Sequence, residues 1–266
     1  MKKFNKEDID NIIELSKKLK QKEIAEIYNI SQSTIGKILK KNGVNTQKSR
    51  LNLSWLKLDF EYFDSIDSCE KAYWLGFISA DGCLKDNKLR VTSKDIEILE
   101  KLKKDLKSEH KITINKTFDK RTKKEYISYI LQITSKAFTD KLSKYIPIDK
   151  SNSFVIPEID EKFYPEFLAG IIDGDGSFSL KKDRSIAVNL ISTKECLQEI
   201  QNYLLKKLNI NKTTLQPVTK NKKNVWKLYI YAGSFDFLNL IYRNENKKMY
   251  LKRKQEKLYK IINYKK

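Results

Sequence analysis

Residues 167–177 read FLAGIIDGDGS, an apolar stretch that ends abruptly with an acid and a glycine. Gly170 and Gly174 lie on one face of a helix and leave it without side chains, so that a second helix can approach closely. Gly176 is predicted to end this helix with a positive φ. Asp175 then lies beside the carbonyls of the last turn, where the helix dipole disfavours a negative charge by up to about 1 kcal/mol. The sequence therefore predicts an acid that is either solvated or held by a cation.

Residues 72–83 read AYWLGFISADGC and repeat the pattern 94 residues earlier in the chain. Gly76 and Ala80 form the small face of this copy, and Asp81 precedes its terminal glycine. Two helices of this kind in one chain can pack about a pseudo-twofold axis, which brings Asp81 and Asp175 to the same end of the pair. The two carboxylates repel each other there unless a hard divalent cation such as Mg²⁺ neutralises them.

Residues 168–176 resemble the LAGLIDADG motif of homing endonucleases almost letter for letter, and residues 74–82 are a looser second copy. The resemblance covers about residues 69–266. It implies an α+β fold of two pseudo-symmetric αββαββα repeats with antiparallel DNA-binding sheets. It also implies a monomer that makes a magnesium-dependent double-strand break at a long DNA site, leaves short 3′ overhangs and promotes the mobility of its own gene or intron.

The first copy departs from the family motif at Leu75, where the motif has alanine, and at Ser79, where it has aspartate. Neither change affects the acid that the family uses for metal, so the resemblance assigns metal binding and catalysis to Asp81 and Asp175. Whether the first site keeps full activity beside Ser79 stays open.

Two lysines are further candidates for the active site. Lys150 and Lys254 occupy segments that resemble those bringing a basic residue beside the metal in this family. Their role would be to stabilise charge on the scissile phosphate or to polarise the attacking water. Surface solvation is the alternative for each, because the chain contains 54 lysines and arginines.

After each motif helix the same order of elements is predicted from the hydrophobic patterns. In the first half these are a strand at 88–92, a helix at 95–107 and a hairpin formed by 111–115 and 126–134. In the second half they are a strand at 185–191, a helix at 194–208 and a hairpin formed by 213–218 and 225–231. An antiparallel sheet with one solvated face can lie in a DNA major groove, and its hairpin tips can reach phosphates. The candidate DNA-binding residues of the two sheets are Arg90, Lys120, Arg121, Lys123, Lys220 and Lys222.

Residues 1–45 predict a small all-α domain of three helices, separated by a linker at 46–68 from repeats at 69–152 and 153–266. Ser31 can cap the third helix, at 32–41. The pattern resembles the helix-turn-helix of DNA-binding recombinases and regulators. The residues expected to face the major groove are Gln32, Ser33, Thr34 and Lys37. A three-helix module for protein contacts is the alternative.

The composition of the chain limits the kinds of partner and the cellular compartment that can be expected. A net charge of +20 indicates a polyanionic partner. Cys69, Cys83 and Cys196 form no C-x-x-C pair, which indicates a reducing compartment and no zinc site. No apolar run approaches 18 residues, and residues 1–8 lack the apolar region of a signal peptide. We therefore expect no membrane partner and an intracellular location, in the cytoplasm, the nucleoid or an organelle matrix.

Two other functions remain as alternatives. The chain could be an RNA-binding maturase for the intron that encodes it, which would need the basic sheets but not both acids. It could also be a helix-turn-helix transcription regulator with an inactive nuclease core. The presence of both Asp81 and Asp175 disfavours each of these. His110, the only histidine, is expected at the surface without a catalytic role.

Overall fold

The computed structural model describes residues 4–16, 19, 21–44, 56–181, 185–218, 224–242 and 251–265, and the side chains up to residue 261. It divides into two compact units, Met1–Trp55 and Leu56–Lys266. This division falls inside the segment that was predicted as a linker. None of the helices in the described ranges has the length and apolar character needed to span a bilayer.

The first unit contains three helices, α1 (Lys6–Leu15), α2 (Gln21–Ile27) and α3 (Gln32–Lys41). Asn29 adopts a φ of 51° between α2 and α3, a conformation that asparagine tolerates better than most residues. The Ser31 hydroxyl accepts a hydrogen bond of 3.2 Å from the Thr34 amide and caps α3. The helices enclose a small core of Ile12, Ile24, Ala25, Ile35 and Leu39.

The second unit consists of two αββαββα repeats. The first repeat contains α4 (Cys69–Asp81), β1 (Gly82–Lys85), β2 (Lys88–Ser93), α5 (Ile96–Asp105), β3 (Ile112–Asp119), β4 (Lys124–Thr134) and α6 (Lys136–Leu142). A short helix, α7 (Lys150–Ser153), leads to the second repeat. That repeat contains α8 (Tyr164–Asp175), β5 (Ser177–Leu180), β6 (Ile186–Ser192), α9 (Lys194–Leu208), β7 (Thr213–Pro217), β8 (Trp226–Ile230) and α10 (Ser234–Tyr242), and α11 (Lys252–Lys265) follows it. The predicted fold class is confirmed.

Each repeat has one four-stranded antiparallel sheet, in the orders β1-β2-β4-β3 and β5-β6-β8-β7. Val91 pairs with Leu131 in the register, and both are fully buried beneath the helices. Arg90 pairs with Gln132, and both are exposed on the opposite face. Because side chains alternate across a strand, each sheet has one face in the core and one face open.

The two motif helices, α4 and α8, pack against each other through their glycines. A Cβ on Gly76 would fall on the carbonyl oxygen of Phe167, and a Cβ on Gly170 would fall on that of Tyr73. Tyr73 and Phe167 are themselves 94 residues apart, as the two glycines are. The contacts are therefore reciprocal, as a pseudo-twofold axis through the helix pair requires, and no side chain fits at either glycine.

Leu58 and Phe63 are buried in the core of the second unit, so the end of the predicted linker packs there, as its apolar residues indicate. Two other parts of the second unit differ from the sequence-based expectations. Residues 252–265 form a helix that was not predicted. His110 is 3% exposed and therefore not at the surface, and its Nδ1 lies 2.9 Å from the Ser108 hydroxyl.

Candidate active site

Asp81 and Asp175 are the last residues of α4 and α8, and the helix pair brings them to the same end. The two helices remain close at this end, where an added Cβ on Gly174 would overlap the Ala80 methyl group. The Cγ atom of Asp81 lies 3.5 Å from the same point. Asp81 is half-buried, whereas Asp175 is exposed. Two carboxylates on adjacent helix ends thus face a common space.

Neither of the glycines that follow the acids has a positive φ, which corrects the expectation for Gly176. The φ values are −85° at Gly82 and −80° at Gly176, and both residues are extended. Glycine is required for a steric reason, because a Cβ on Gly176 would lie 2.6 Å from the Cα of Ile172. A Cβ on Gly82 would lie 2.7 Å from the Cγ2 of Ile78. In each repeat the chain therefore passes directly from the motif helix into the first strand of the sheet.

Lys150 lies at the C-terminal end of α4. Its Nζ donates hydrogen bonds to the carbonyl oxygens of Ser79, at 2.8 Å, and of Ala80, and it lies 3.5 Å from that of Ile78. These carbonyls belong to the last turn of the helix, where carbonyl oxygens lack the amide partners of the helix interior; that of Ile78 also accepts from the Gly82 amide. The ammonium group therefore satisfies them and opposes the negative end of the helix dipole beside Asp81.

Lys254, in the first turn of α11, has the equivalent place at the end of α8. Its Nζ donates to the carbonyl oxygens of Asp173 at 2.8 Å, of Gly176 at 2.7 Å and of Ile172. Lys254 is 6% exposed. The two lysines thus lie at equivalent positions, one at the C-terminal end of each motif helix.

The surroundings shift the pKa values of both acids upward. Burial raises the pKa of Asp81 to about 6, and the charge of Asp175 adds to this effect, while Lys150 and Lys254 oppose it. Desolvation by the surrounding protein also raises the pKa of Asp175, and the same two lysines oppose this effect. The carboxylates therefore repel each other and are incompletely neutralised by the ammonium groups.

The pKa values of the two lysines are shifted downward. Burial lowers the pKa of Lys254 to about 8; Asp173 opposes this effect and Arg253 adds to it. Burial also lowers the pKa of Lys150, while Asp175 and Asp81 oppose the change. Such opposed shifts in a cluster of acids and amines are typical of sites that move protons or bind charged groups.

Asp173 is a buried acid of the motif to which the sequence assigned no role. It is 1% exposed, and its carboxylate accepts hydrogen bonds from the hydroxyl groups of Tyr73, at 2.6 Å, and Tyr242, at 2.8 Å. Burial raises its pKa to about 6 in spite of these two donors. At the equivalent position of the first copy, the Ser79 hydroxyl donates to the Leu75 carbonyl at 2.8 Å. Asp173 could have been identified from the sequence because it lies within the motif, but nothing in the motif indicates that Tyr73 and Tyr242 are its partners.

The predicted DNA-binding residues of the sheets are found in part. Arg90 lies on the open face of the first sheet, where its register neighbours are Cys83 and Gln132. The residues at the tip of the β3–β4 hairpin are exposed, and these are Lys120, Arg121 and Lys123. Asp119 shapes this tip by accepting hydrogen bonds from the Arg121 amide and the Thr122 hydroxyl, both at 2.8 Å. Lys220 and Lys222 lie outside the described residues.

In the first unit, Gln32, Ser33 and Lys37 are exposed on α3, and Thr34 is half-buried. The hydroxyl groups of Ser33 and Thr34 each lie 2.8 Å from that of Ser31 at the helix cap. Gln32 and Lys37 are therefore the two side chains of this set that extend away from the cap.

The donor atoms at the end of the helix pair fit a hard divalent cation. Mg²⁺ is bound in proteins through one or two carboxylates, with water and phosphate oxygens completing its shell. Asp81 and Asp175 supply two carboxylates with mutual repulsion that a cation would relieve. Within the ranges that the structure describes, no three acid, histidine or cysteine side chains come together as a complete protein cage. A Mg²⁺ site completed by substrate oxygens suits this set better than a structural zinc or calcium site.

Several solved structures are similar to the chain at low sequence identity. The homing endonuclease I-WcaI bound to its DNA recognition sequence is 17% identical, with 68% of this chain and 85% of that one covered at a TM-score of 0.49. The N-terminal LAGLIDADG domain of DUF199/WhiA is 22% identical, with coverages of 73% and 92% and a TM-score of 0.45. Mesophilic variants of the homing endonuclease I-DmoI are 16% identical, with coverages of 70% and 92% and a TM-score of 0.44.

No curated protein matches the chain significantly in sequence. A family model does: the LAGLIDADG-like domain matches residues 68–147 and 162–258, which together make up more than half of the chain. The two matched segments contain the two motif helices and the strands that follow each of them. The chain belongs to the LAGLIDADG-like domain family.

Proposed function

We propose that the chain is a homing endonuclease that hydrolyses both strands of duplex DNA at a long site. Its proposed cofactor is a divalent metal ion, namely Mg²⁺. The observation that supports this function best is the pairing of one carboxylate with one lysine at the end of each motif helix. Lys150 donates to the Ala80 carbonyl at the end of α4, next to Asp81, and Lys254 donates to the Gly176 carbonyl at the end of α8, next to Asp175. Family membership supports the same function.

Each acid–lysine pair would act on one DNA strand. Asp81 and Asp175 would hold Mg²⁺, which supplies charge neutralisation at the phosphate and a lowered pKa for water. Lys150 and Lys254 would remain hydrogen-bonded to the helix ends and direct their positive charge at the scissile phosphates, where negative charge increases in the transition state. Because the lysines are fixed before DNA arrives, they need no reorganisation during the reaction.

The open faces of the sheets would bind the duplex on either side of the acids. β1 begins directly after Asp81, and β5 begins two residues after Asp175, so each sheet starts at the proposed cutting site. Polar side chains on the open face of the first sheet, among them Arg90, Asn115 and Gln132, can hydrogen-bond with base edges. The exposed basic tip at 120–123 can contact phosphates farther along the site.

The first unit would add a separate DNA contact. Gln32 and Lys37 of α3 are exposed on the helix that a helix-turn-helix unit inserts into the major groove. Monomeric action follows from the presence of both acids in one chain. An intracellular location follows from the DNA target.

The test is cleavage of a duplex selected by the wild-type protein from a randomised library, with a different fluorescent label on each strand. We expect Asp175→Asn to abolish cutting of at least one strand and to keep DNA affinity within about threefold, because the change removes one charge and little volume. Asp81→Asn should have the same effect on the other strand. Double-strand cutting retained by Asp175→Asn would refute the assignment.

Two controls separate the proposed function from its alternatives. Replacement of Mg²⁺ by Ca²⁺ or its removal with a chelator should stop cutting without releasing the DNA. Asp86→Asn, in the exposed β1–β2 turn, should leave both cuts unchanged. Binding of RNA or DNA without any cutting by the wild-type protein would favour the maturase or the regulator instead.

A further inference from the structure

Lys150 contacts the first repeat through its side chain, but the second repeat holds the segment that carries it. Two residues beyond Lys150, the carbonyl of Asn152 accepts a hydrogen bond of 2.6 Å from the side-chain amide of Asn224. Farther along, the carbonyl of Phe154 accepts one from the Thr193 hydroxyl, which also caps α9. α7 has only four residues and no buried side chain, so these bonds fix its place.

Asn224 is well suited to this role. It lies in the β7–β8 connection, two residues before β8, with a φ of 51°, a conformation favourable to asparagine and glycine. Its Oδ1 accepts from the amide of Lys194 at 3.1 Å, and its Nδ2 also donates to Glu195 at 2.9 Å. One side chain thus ties the start of α9, the hairpin and the Lys150 segment together.

The other lysine is held in the converse way. Arg253, next to Lys254, donates from Nε to the Oδ2 of Asp95 in the first repeat at 2.8 Å. Asp95 occupies the N-cap position of α5, but its side chain makes no hydrogen bond to the amides of that helix. Aspartate at this position normally caps the helix. Here its carboxylate is directed instead at the residue beside Lys254.

The two contacts come from the same place in the two repeats. Asp95 occupies the N-cap position of α5, after β2, and Thr193 occupies the N-cap position of α9, after β6. Asn224 contacts this second junction by accepting from the amide of Lys194, the first residue of α9. In each repeat, the junction between the second strand and the following helix therefore holds the segment whose lysine contacts the motif helix of the other repeat. A disturbance of one sheet would be transmitted to the cutting site of the opposite half.

We propose that Asp95 and Asn224 are positioning residues, which fix Lys254 and Lys150 respectively from the opposite repeat. This inference rests on the proposed function for its effect on cleavage. The positioning itself can be measured without DNA.

The first measurement is the rate of reductive methylation of each lysine in the free full-length protein, followed by mass spectrometry. In the wild-type protein both lysines should react slowly, because their ammonium groups donate to helix carbonyls. Asp95→Ala should increase the rate at Lys254 at least fivefold and leave that at Lys150 within twofold. Asn224→Gly, which keeps the backbone conformation, should have the converse effect. Equal changes at both lysines, or no change, would overturn the proposal.

Conservative and control variants separate positioning from general destabilisation. Asp95→Glu keeps the carboxylate and should restore slow methylation of Lys254, whereas a variant that only loosens the fold would expose both lysines. Asp140→Ala removes an exposed ion pair with Lys136, 2.7 Å long, and should change neither rate. If Asp95→Ala does not fold, Asp95→Asn provides the same comparison without the loss of volume.

The second measurement is strand-specific cutting of the selected duplex. Asp95→Ala should slow one cut at least tenfold and Asn224→Gly the other, with a lower kcat and an unchanged KM. If the wild-type protein cuts no DNA while the methylation pattern is as expected, the proposed function fails and the positioning stands. If the wild-type protein cuts and both variants slow the two strands equally, the positioning fails alone.

Discussion

The hydroxyl of Tyr73 on α4 donates a hydrogen bond of 2.6 Å to the carboxylate of Asp173 on α8, across the pair of motif helices. The pseudo-twofold axis has no such bond in the reverse direction. Phe167 stands where the axis requires a tyrosine, and Ser79 stands where it requires an acid. The departure of Ser79 from the family motif is therefore matched by the loss of its hydroxyl donor. The change concerns packing of the seam and leaves Asp81 and Lys150 in place.

Ser79→Asp should destabilise the protein, even though it restores the family motif. Ser79 is 7% exposed, and a carboxylate there would be buried opposite Phe167 without a donor. We expect a loss of about 3 kcal/mol in the free energy of unfolding at pH 7, measured by urea denaturation.

The double variant Ser79→Asp with Phe167→Tyr tests this explanation. Phe167→Tyr alone places an unpaired hydroxyl in the core and should cost about 1–3 kcal/mol. In the double variant the two groups can pair as Tyr73 and Asp173 do, so that the combined loss should be smaller than the sum by at least about 1 kcal/mol. Strict additivity would mean that the two positions do not face each other.

Gly76→Ala should separate the motif helices. The added methyl group would fall on the Phe167 carbonyl, a backbone atom that cannot move alone. We expect a loss of about 3 kcal/mol or more in stability and loss of cutting of both strands, since the acids are positioned by this seam. Circular dichroism in urea measures the first effect, and the labelled duplex measures the second.

Gly36→Ala is the matched control in a helix of the first unit. A Cβ there would meet only the flexible end of Gln21, at 3.5 Å. Because alanine is the better helix former, this variant should gain about 0.5–1 kcal/mol. A loss comparable to that of Gly76→Ala would show that the effect comes from helical glycines in general and not from the seam.

Much of this architecture could be predicted because its signals are local. The glycines and small residues at positions 76, 80, 170 and 174 reveal a helix face, and the alternation along residues 88–93 and 124–134 reveals strands. The two acids follow from the repeated motif. A local signal also exists for α11, because Leu251, Leu258 and Ile261, all buried, have the spacing of a helix face.

The partners of the site residues could not be predicted, because they are distant in the chain. Asp95 and Arg253 are 158 residues apart, and Tyr242 and Asp173 are 69 apart. Neither pair belongs to a periodic pattern or a motif. The role of Gly176 was predicted wrongly for a related reason: the sequence shows that a glycine is there, whereas only the fold shows whether φ or the lack of space requires it.

Asp81→Asn should stabilise the metal-free protein at neutral pH, although it abolishes cleavage of one DNA strand. Burial and Asp175 raise the pKa of Asp81 from 3.8 to about 6, so the folded state holds this proton more tightly than the unfolded state. The free energy of unfolding therefore falls as the pH rises from about 4 to 6, and the cost is fully present above that range. If the whole pKa shift contributed to the free energy of unfolding, its effect would be about 3 kcal/mol. Solvent at the mouth of the site reduces this effect, so we expect Asp81→Asn to gain about 1 kcal/mol at pH 7.

The pH dependence identifies the cause of that gain. At about pH 4 the wild-type carboxyl is largely protonated in the folded state, and the advantage of Asp81→Asn should disappear. Asp86→Asn, in the exposed turn, should change the stability by less than about 0.5 kcal/mol at either pH. A gain for Asp81→Asn that is equal at both pH values would have to come from packing. Mg²⁺ should raise the melting temperature of the wild-type protein more than that of the variant, because the variant lacks one of the two carboxylates.

Deletion of residues 1–45 should shorten the DNA footprint without removing metal-dependent cutting. The first unit has its own small core around Ile12, Ile24 and Ile35, and both acids lie in the second unit. In the full chain, Gln32→Ala with Lys37→Ala should weaken the same part of the footprint, whereas Lys6→Ala, on exposed α1, should not. Footprinting of the selected duplex and strand-specific cutting measure the two effects. An unchanged footprint would show that the three helices have another role, such as contact with a protein.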